Sequence, residues 1–379
     1  MKNRPIYADN AATTKLDPLA FEAMLPWLQE EYGNASQPYS FARNPKRALR
    51  EARETIADCI HAAPEEIFFT SGGTESDNWA IKGCAFADPE LRPTITSAFE
   101  HPAVLNACRA IERLDHPVTY LSPTPTGTIP PNVLANYITD RTRLVSVMLA
   151  NNELGTIQPI RELCRIAHKA GALFHTDAVQ ALGHLAIDVQ ELDVDLLSAS
   201  AHKFNGPKGV GFLYIRKGTP IAPYADGGGQ EAGQRAGTEN VAGIVGMSIA
   251  LKENCKKLQE NSFHLREMER VLIGHLSSAG ICYTRNGSAD TIPGLLSLSF
   301  PGMSGEAILH RLDLMGICIA TGSACDSANT EISHVLKAIS LDEALALGTV
   351  RISFGKNNTV DEAKQIAEAL ITIVRSVTR

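Results

Sequence analysis

Lys203 stands in "SASAHKFNGPKGVGFLY", between two apolar runs and at the end of the first. An amine at the mouth of a core is costly to desolvate unless it is used. A lysine in such a place is a nucleophile for Schiff-base chemistry, or else a snorkelling surface residue. Asp177 closes the apolar run "ALFHTD". A carboxylate at a strand's carboxyl end lies where open α/β sheets bind ligands, or it is a helix N-cap. "FFTSGGTESDNWAIKG" reads as strand, glycine turn, helix. Gly72, Gly73 and Thr74 would then present N–H groups at a helix N-terminus, a seat for phosphate or an ordinary turn. An amine for an aldehyde, an acid for a pyridinium nitrogen and an anion seat are together what pyridoxal 5'-phosphate needs.

Weaker candidates surround these three. His101 in "FEHPAV" is either a satisfied structural histidine or a flat partner for a cofactor ring. Asn152, in "VMLANNELGTIQPI", and Gln180, one turn past Asp177, are candidates to bond a ring oxygen. Arg351 in "TVRISFGK" is edge decoration or a bidentate clamp for a substrate carboxylate. Of the eight cysteines, Cys325 differs in its surroundings, the polar, turn-forming "ATGSACDSANTE". A thiol on an exposed, mobile loop is a candidate nucleophile, against the alternative of an incidental surface cysteine. Cys59, Cys84, Cys108, Cys164, Cys255, Cys282 and Cys318 align with apolar neighbours and read as small core residues.

These residues need a scaffold of strand ends. "EIFFTSGG", "TITSAF", "VTYLS", "RLVSVML", "ALFHTD", "DLLSASA" and "GVGFLYI" read as strands, several apolar throughout, as in a sheet covered on both faces. "IRELCRIAHKAG" has helical spacing, with Ile160, Leu163, Cys164 and Ala167 on one face and Gly171 at the C-terminal end. The alternation implies an α/β domain with a mostly parallel sheet. Residues 241–280 read as continuous helix, followed by "GLLSLSF", "GICIA" and "TVRISFG" as strands of a smaller α+β domain. With 379 residues, 44% hydrophobic, two domains are expected. A formal net charge of −7 argues against nucleic acid and anionic membrane as partners. The first residues lack a signal-peptide pattern, and no run is long and apolar enough to span a membrane, so a cytoplasmic protein with reduced thiols is expected. No CxxC pair or HExxH motif occurs, so no metal site is expected.

Nine ordered blocks together resemble the cysteine desulfurases of the NifS/IscS type: "YADNAATT", "TSGGTESDN", "EHPAV", "NNELGTIQPI", "HTDAVQ", "SAHKFNGPKGVGFLY", "RAGTEN", "TGSACDS" and "VRISFG". The resemblance implies the fold type I of pyridoxal-phosphate enzymes. Its large domain, residues 14–250, would carry a mixed seven-stranded sheet. Residues 1–13 and 251–379 would form the small domain. It implies a homodimer converting L-cysteine to L-alanine, with the sulfur held as a persulfide on Cys325 and passed to an acceptor for iron–sulfur or thiocofactor synthesis. Lys203 would hold the cofactor, Asp177 its ring nitrogen, and His101 its ring face. Gly73, Thr74, Ser200 and His202 would bind its phosphate, with Thr238 lent by the neighbouring subunit. Asn152 and Gln180 would contact the ring oxygen or substrate, and Arg351 the substrate carboxylate, with Asn34 as helper. Ala35, Tyr39 and Ala42 replace the family's proline, histidine and glycine; Ala232 stands for a usual arginine and Ala201 for a frequent glycine. The chain stops at Arg379, without the tail some members use to bind a scaffold protein. Selenocysteine lyase, cysteine-sulfinate desulfinase and a non-catalytic scaffold for sulfur carriers are the competing expectations.

Overall fold

A computed structural model describes residues 5–321 and 332–377. Its strands run β1 Ile6–Tyr7, β2 Ile67–Thr70, β3 Thr94–Ser97, β4 Val118–Leu121, β5 Leu144–Ser146, β6 Leu173–Asp177, β7 Leu196–Ser200, β8 Gly211–Ile215, β9 Thr284–Arg285, β10 Leu295–Ser299, β11 Ile317–Cys318 and β12 Thr349–Ser353. The seven strands expected between residues 64 and 216 all form. They make one sheet in the order β2-β8-β7-β6-β5-β3-β4, antiparallel only where β8 meets β2 and β7.

Most of the strand residues are buried because both faces of the sheet are covered, including polar ones such as Thr96 on β3, His175 on β6 and Ser198 on β7. Alternate residues go to opposite sides. Val145, Leu197, Phe212 and Tyr214 join the larger apolar cluster, which includes Leu163 and Ala167 of the helix Ile160–Lys169. Leu144, Leu196, Leu213 and Ile215 join another, with Trp79, Ala80 and Cys84 of the helix Gly73–Phe86. The helix Ile160–Lys169 buries the four residues that its spacing predicts, and Gly171 follows it at φ +80°, a left-handed turn that glycine adopts without strain.

A third cluster belongs to the C-terminal part. β10 pairs antiparallel with β12 and β9, and β1 runs parallel to β11. Leu296, Leu298, Val350 and Ile352 pack with the helices Leu258–Ser278 and Val360–Val377, and Ala8 of the N-terminal segment joins them. The helix expected over 241–280 is two helices, Val241–Lys256 and Leu258–Ser278, broken at Lys257 (φ −107°, ψ 17°). The break separates residues that serve different cores: Ile244, Met247 and Leu251 enter the larger sheet's cluster, Leu265, Met268 and Leu272 the C-terminal one.

The expectation for Cys282 also changes. Cys282 lies outside any strand and is exposed, because "GIC" here links a helix end to the two-residue β9. Cys59, Cys255 and Cys318 are half-buried, whereas Cys84, Cys108 and Cys164 are buried. Among the described residues no helix is long and apolar enough to cross a membrane.

Candidate active site

The chain reverses its direction of travel across the sheet between β3 and β5, which are neighbours although β4 intervenes in sequence. The segments leaving the carboxyl ends of such strands line a crevice suited to ligands. A cavity of about 720 Å³ opens there. His101 enters it from the segment after β3, Asn152 from the segment after β5, Asp177 and Gln180 from the end of β6, and Ser200, His202 and Lys203 from the end of β7.

Lys203 ends a single helical turn, Ala201–Lys203, half-buried. Its Nζ donates to the carbonyls of Ala11 (2.5 Å) and Ala12 (3.0 Å). The turn that follows the N-terminal strand is therefore a wall of the site. It is docked by Thr14, whose Oγ1 donates to the His202 carbonyl (2.8 Å) and accepts from the Asn205 N–H (2.8 Å). These partners were invisible in the sequence, because the contacts use backbone carbonyls about half a chain away; the block "YADNAATT" was the only sign of them.

Asp177 is buried, and its carboxylate accepts from the Val179 N–H at 2.8 Å. Burial pushes it up to about 6; that N–H and the Lys203 charge pull the other way. His101 caps the helix Pro102–Glu112, its Nδ1 accepting from the Ala103 N–H at 3.1 Å. Burial, then the charges of Lys203 and His334, lower it to about 4. A neutral ring with Nδ1 accepting carries its proton on Nε2. His202 is likewise lowered to about 4 by burial and then by Lys203 and Lys208.

The anion seat is built from close backbone contacts. Gly72 precedes the helix Gly73–Phe86 at φ +147°. A Cβ on Gly73 would stand 2.6 Å from Val179 Cγ2, and Ser200 packs beside both glycines. Glu75, on the first turn, accepts from Ser71 and pairs with Arg235 (2.8 Å). Arg235 thereby fastens the glycine-rich loop that carries Thr238. Glu231 fastens it again: its buried carboxylate accepts from Arg53 (2.6 Å) and from the Phe69 N–H (2.8 Å). Ala232 is exposed, at φ +55°.

Arg351, on β12, crosses into the same cavity from the C-terminal sheet. It is 6% exposed. Its Nη2 pairs with Asp9 at 2.8 Å and its Nη1 donates to the Asn152 carbonyl at 3.0 Å. Its Nε has no partner among the described residues, nor does Gln180 Oε1. Buried polar atoms left unpaired inside a cavity mark where a polar ligand would bond. Glu153 adds a buried acid, raised to about 7 by burial and lowered in part by the Ser333 hydroxyl (2.6 Å) and by Arg351.

Two of the expected residues stand apart from this cavity. Asn34 is half-buried and accepts from the Ser36 N–H at 2.9 Å, away from the cavity wall. Thr238 is exposed and does not line the cavity of its own chain. Cys325 lies outside the described residues. Asp9, Ser333 and His334 carry no sequence signal of their own beyond the N-terminal block, and Glu153 stood out only beside Asn152 in "NNELG".

Three comparisons with known proteins agree with this geometry. The family model of the class-V aminotransferases matches residues 6–366. A protein of Dictyoglomus turgidum described as cysteine desulfurase IscS is 46% identical, over 98% of this chain and 96% of the relative. A putative cysteine desulfurase IscS 1 of Bacillus subtilis is 43% identical, over 98% and 99%. Among solved structures, a NifS-like protein superposes with a TM-score of 0.92 at 37% identity, over 98% of this chain and all of that one. A structure described as SspA in complex with cysteine matches with a TM-score of 0.82 at 36% identity, over 93% and 99%.

Proposed function

Because this chain belongs to the class-V aminotransferase family and is a cysteine desulfurase, we infer that it works with pyridoxal 5'-phosphate held by Lys203 and takes sulfur from L-cysteine. The observation that carries the reading is the convergence of Lys203, Asp177, His101, Ser200 and Arg351 on one cavity whose buried Gln180 Oε1 and Arg351 Nε await a polar partner.

The residues present fit the cofactor. Gly73, Thr74, Ser200 and His202 would hold its phosphate at the N-terminus of a 14-residue helix. Asp177 would hold the ring nitrogen, His101 the ring face, and Asn152 and Gln180 the ring oxygen. When bound, pyridoxal phosphate supplies an electron sink for the carbon beside the substrate carboxylate. Arg351 binds that carboxylate, held in place by Asp9 and the Asn152 carbonyl. Lys203 would take a proton from that carbon, and the Ala11 and Ala12 carbonyls hold its amine within the cavity. His101, neutral, offers an Nε2 proton. Cys325, placed in this role by its sequence block alone, attacks the substrate sulfur as a thiolate. An S–S bond would form as the Cβ–S bond breaks; the carbon keeps the bond's electron pair and takes up a proton, alanine leaves, and a persulfide remains for an acceptor protein.

Leu19, Phe21 and Leu28 on the helix Pro18–Gln29, with Tyr32 after it, are large apolar residues left exposed, which supports a homodimer. Thr238, exposed on its fastened loop, would serve the neighbouring subunit. The separate C-terminal cluster supports a second unit alongside the sheet domain, although Leu251, Val335, Leu336 and Ile339, from the residues expected in that unit, pack with the larger cluster.

The test is alanine and sulfide release from L-cysteine by the purified, coloured protein and by Cys325→Ala. Turnover that collapses in the variant supports the reading. Full turnover without the thiol would point instead to a selenocysteine- or sulfinate-directed enzyme, and no alanine from either protein to a scaffold.

A further inference from the structure

One buried acid at the cavity has no part in the reading above. Asp77 lies on the helix Gly73–Phe86, about one turn from its start, and is 1% exposed. It lines the same cavity as Asp177, and its Oδ1 has no hydrogen-bond partner. The nearest basic group is His175 on β6, with Nε2 3.8 Å from that oxygen. The imidazole is already engaged on both sides, Nδ1 with Ser146 Oγ at 2.8 Å and Nε2 with Ser198 Oγ at 3.0 Å. Burial lowers it to about 3, so it is neutral. The other groups facing Asp77 are Asp177 on β6, Glu100 after β3 and the Ser198 hydroxyl on β7. None of these neighbours carries a positive charge. A carboxylate would be a dry anion beside two further acids, and a group so placed takes up a proton instead.

Asp77 and Asp177 are not equivalent. Both are pushed up by burial. Asp177 also accepts the Val179 N–H at 2.8 Å and faces Lys203, and both contacts favour its charged form. Asp77 has only the Ser198 hydroxyl in its favour and an orphaned oxygen against it. Like charges in one dry pocket do not both ionise, and the less supported one keeps the proton.

We propose that Asp77 is the proton-bearing member of an acid pair with Asp177. It stays a neutral carboxylic acid through the neutral range, so the charge at the cavity's ring-nitrogen position belongs to Asp177 alone. Asp77 is thus a positioning residue, one that fixes the charge of its neighbour and for which asparagine is a neutral substitute of the same shape. The functional meaning of the pair rests on the assignment of Asp177 to a pyridinium nitrogen; the location of the proton does not.

Infrared spectra of the full-chain holoprotein at about pH 8, with and without ¹³C-labelled aspartate, test the proposal. A protonated-carboxyl stretch that shifts with the label and is lost in Asp77→Asn is the expected result. The label excludes Glu100 and Glu153, and Asp177, at about 6, is ionised at that pH. In the same variant the pH midpoint of the cofactor's absorbance is expected to stay where it is in the wild type, because one neutral group replaces another. No label-sensitive carboxyl band in the wild type, or one that survives in Asp77→Asn, overturns the proposal. If the variant fails to fold, the labelled wild-type spectrum decides alone. A colourless protein that still shows the band would refute the cofactor reading and leave the proton on Asp77.

Discussion

Asp9 sets the strength of the substrate clamp, and its removal has a calculable consequence. Arg351 reaches the cavity with one nitrogen on Asp9 (2.8 Å), one on the Asn152 carbonyl (3.0 Å) and one unpaired. Both partners of the ion pair are mostly buried, at 7% and 20% side-chain exposure, so solvent screens it little. A hydrogen bond to a charged group contributes about 1.5–3 kcal/mol. At 1.36 kcal/mol per factor of ten, losing it lowers kcat/KM for L-cysteine by about 10- to 150-fold. Asp9→Asn keeps an acceptor oxygen and belongs at the low end; Asp9→Ala leaves a buried guanidinium unpaired and belongs at the high end. The loss should fall mainly on KM, because the clamp binds a carboxylate that does not react. The assay is steady-state alanine release, with the cofactor's absorbance recorded on each variant. Unchanged KM in both variants, or a loss of cofactor that parallels the loss of activity, would refute the reasoning.

Glu153 is raised to about 7 in the folded protein from an ordinary value near 4.5. Its folded form holds a proton that the unfolded form has released, so its contribution is fully present below about pH 4.5 and is lost as pH rises through 7. Glu153→Gln removes that dependence, and its Tm should gain on the wild type across this window, by the equivalent of up to about 3 kcal/mol; a difference in Tm that stays flat with pH contradicts the assignment. Gly73→Ala would put a Cβ 2.6 Å from Val179, a β-branched side chain with little room to turn. Overpacking of this kind costs about 1–3 kcal/mol, and the expected readout is faster loss of cofactor on dialysis, against unchanged retention if the glycine turn is not the phosphate seat. Leu28→Glu, at an exposed apolar position on the helix Pro18–Gln29, is expected to shift the protein from dimer to monomer in light scattering; a wild type that is already monomeric would remove the proposed role of Thr238.

What the sequence showed and what it hid follow from the range of the interactions. The central sheet was legible because covered strands are rich in apolar and β-branched residues, and each of the seven runs stands out locally between turn and helix patterns. Lys203, Asp177, His101 and Arg351 were legible because polar groups at the ends of such runs stand out. The break at Lys257 was not, since neither glycine nor proline marks it and the change of partner core is tertiary. Cys282 misled for the reverse reason, as three apolar residues after a helix look the same whether or not a sheet receives them. The Ala11 and Ala12 carbonyls that hold Lys203 carry no side-chain signal at all. Asp77 was hidden inside a helix opening read for its glycines, and only the burial of the helix against β6 and β7 gives its carboxyl a meaning.

The central claim is that one amine and one anion seat hold a single aromatic aldehyde in this cavity. Borohydride reduction of the coloured protein, followed by digestion and mass spectrometry, tests it most directly. The account predicts a pyridoxyl phosphate adduct on the peptide containing Lys203, and none in Lys203→Ala. A protein without visible absorbance, or an adduct on another lysine, would contradict it.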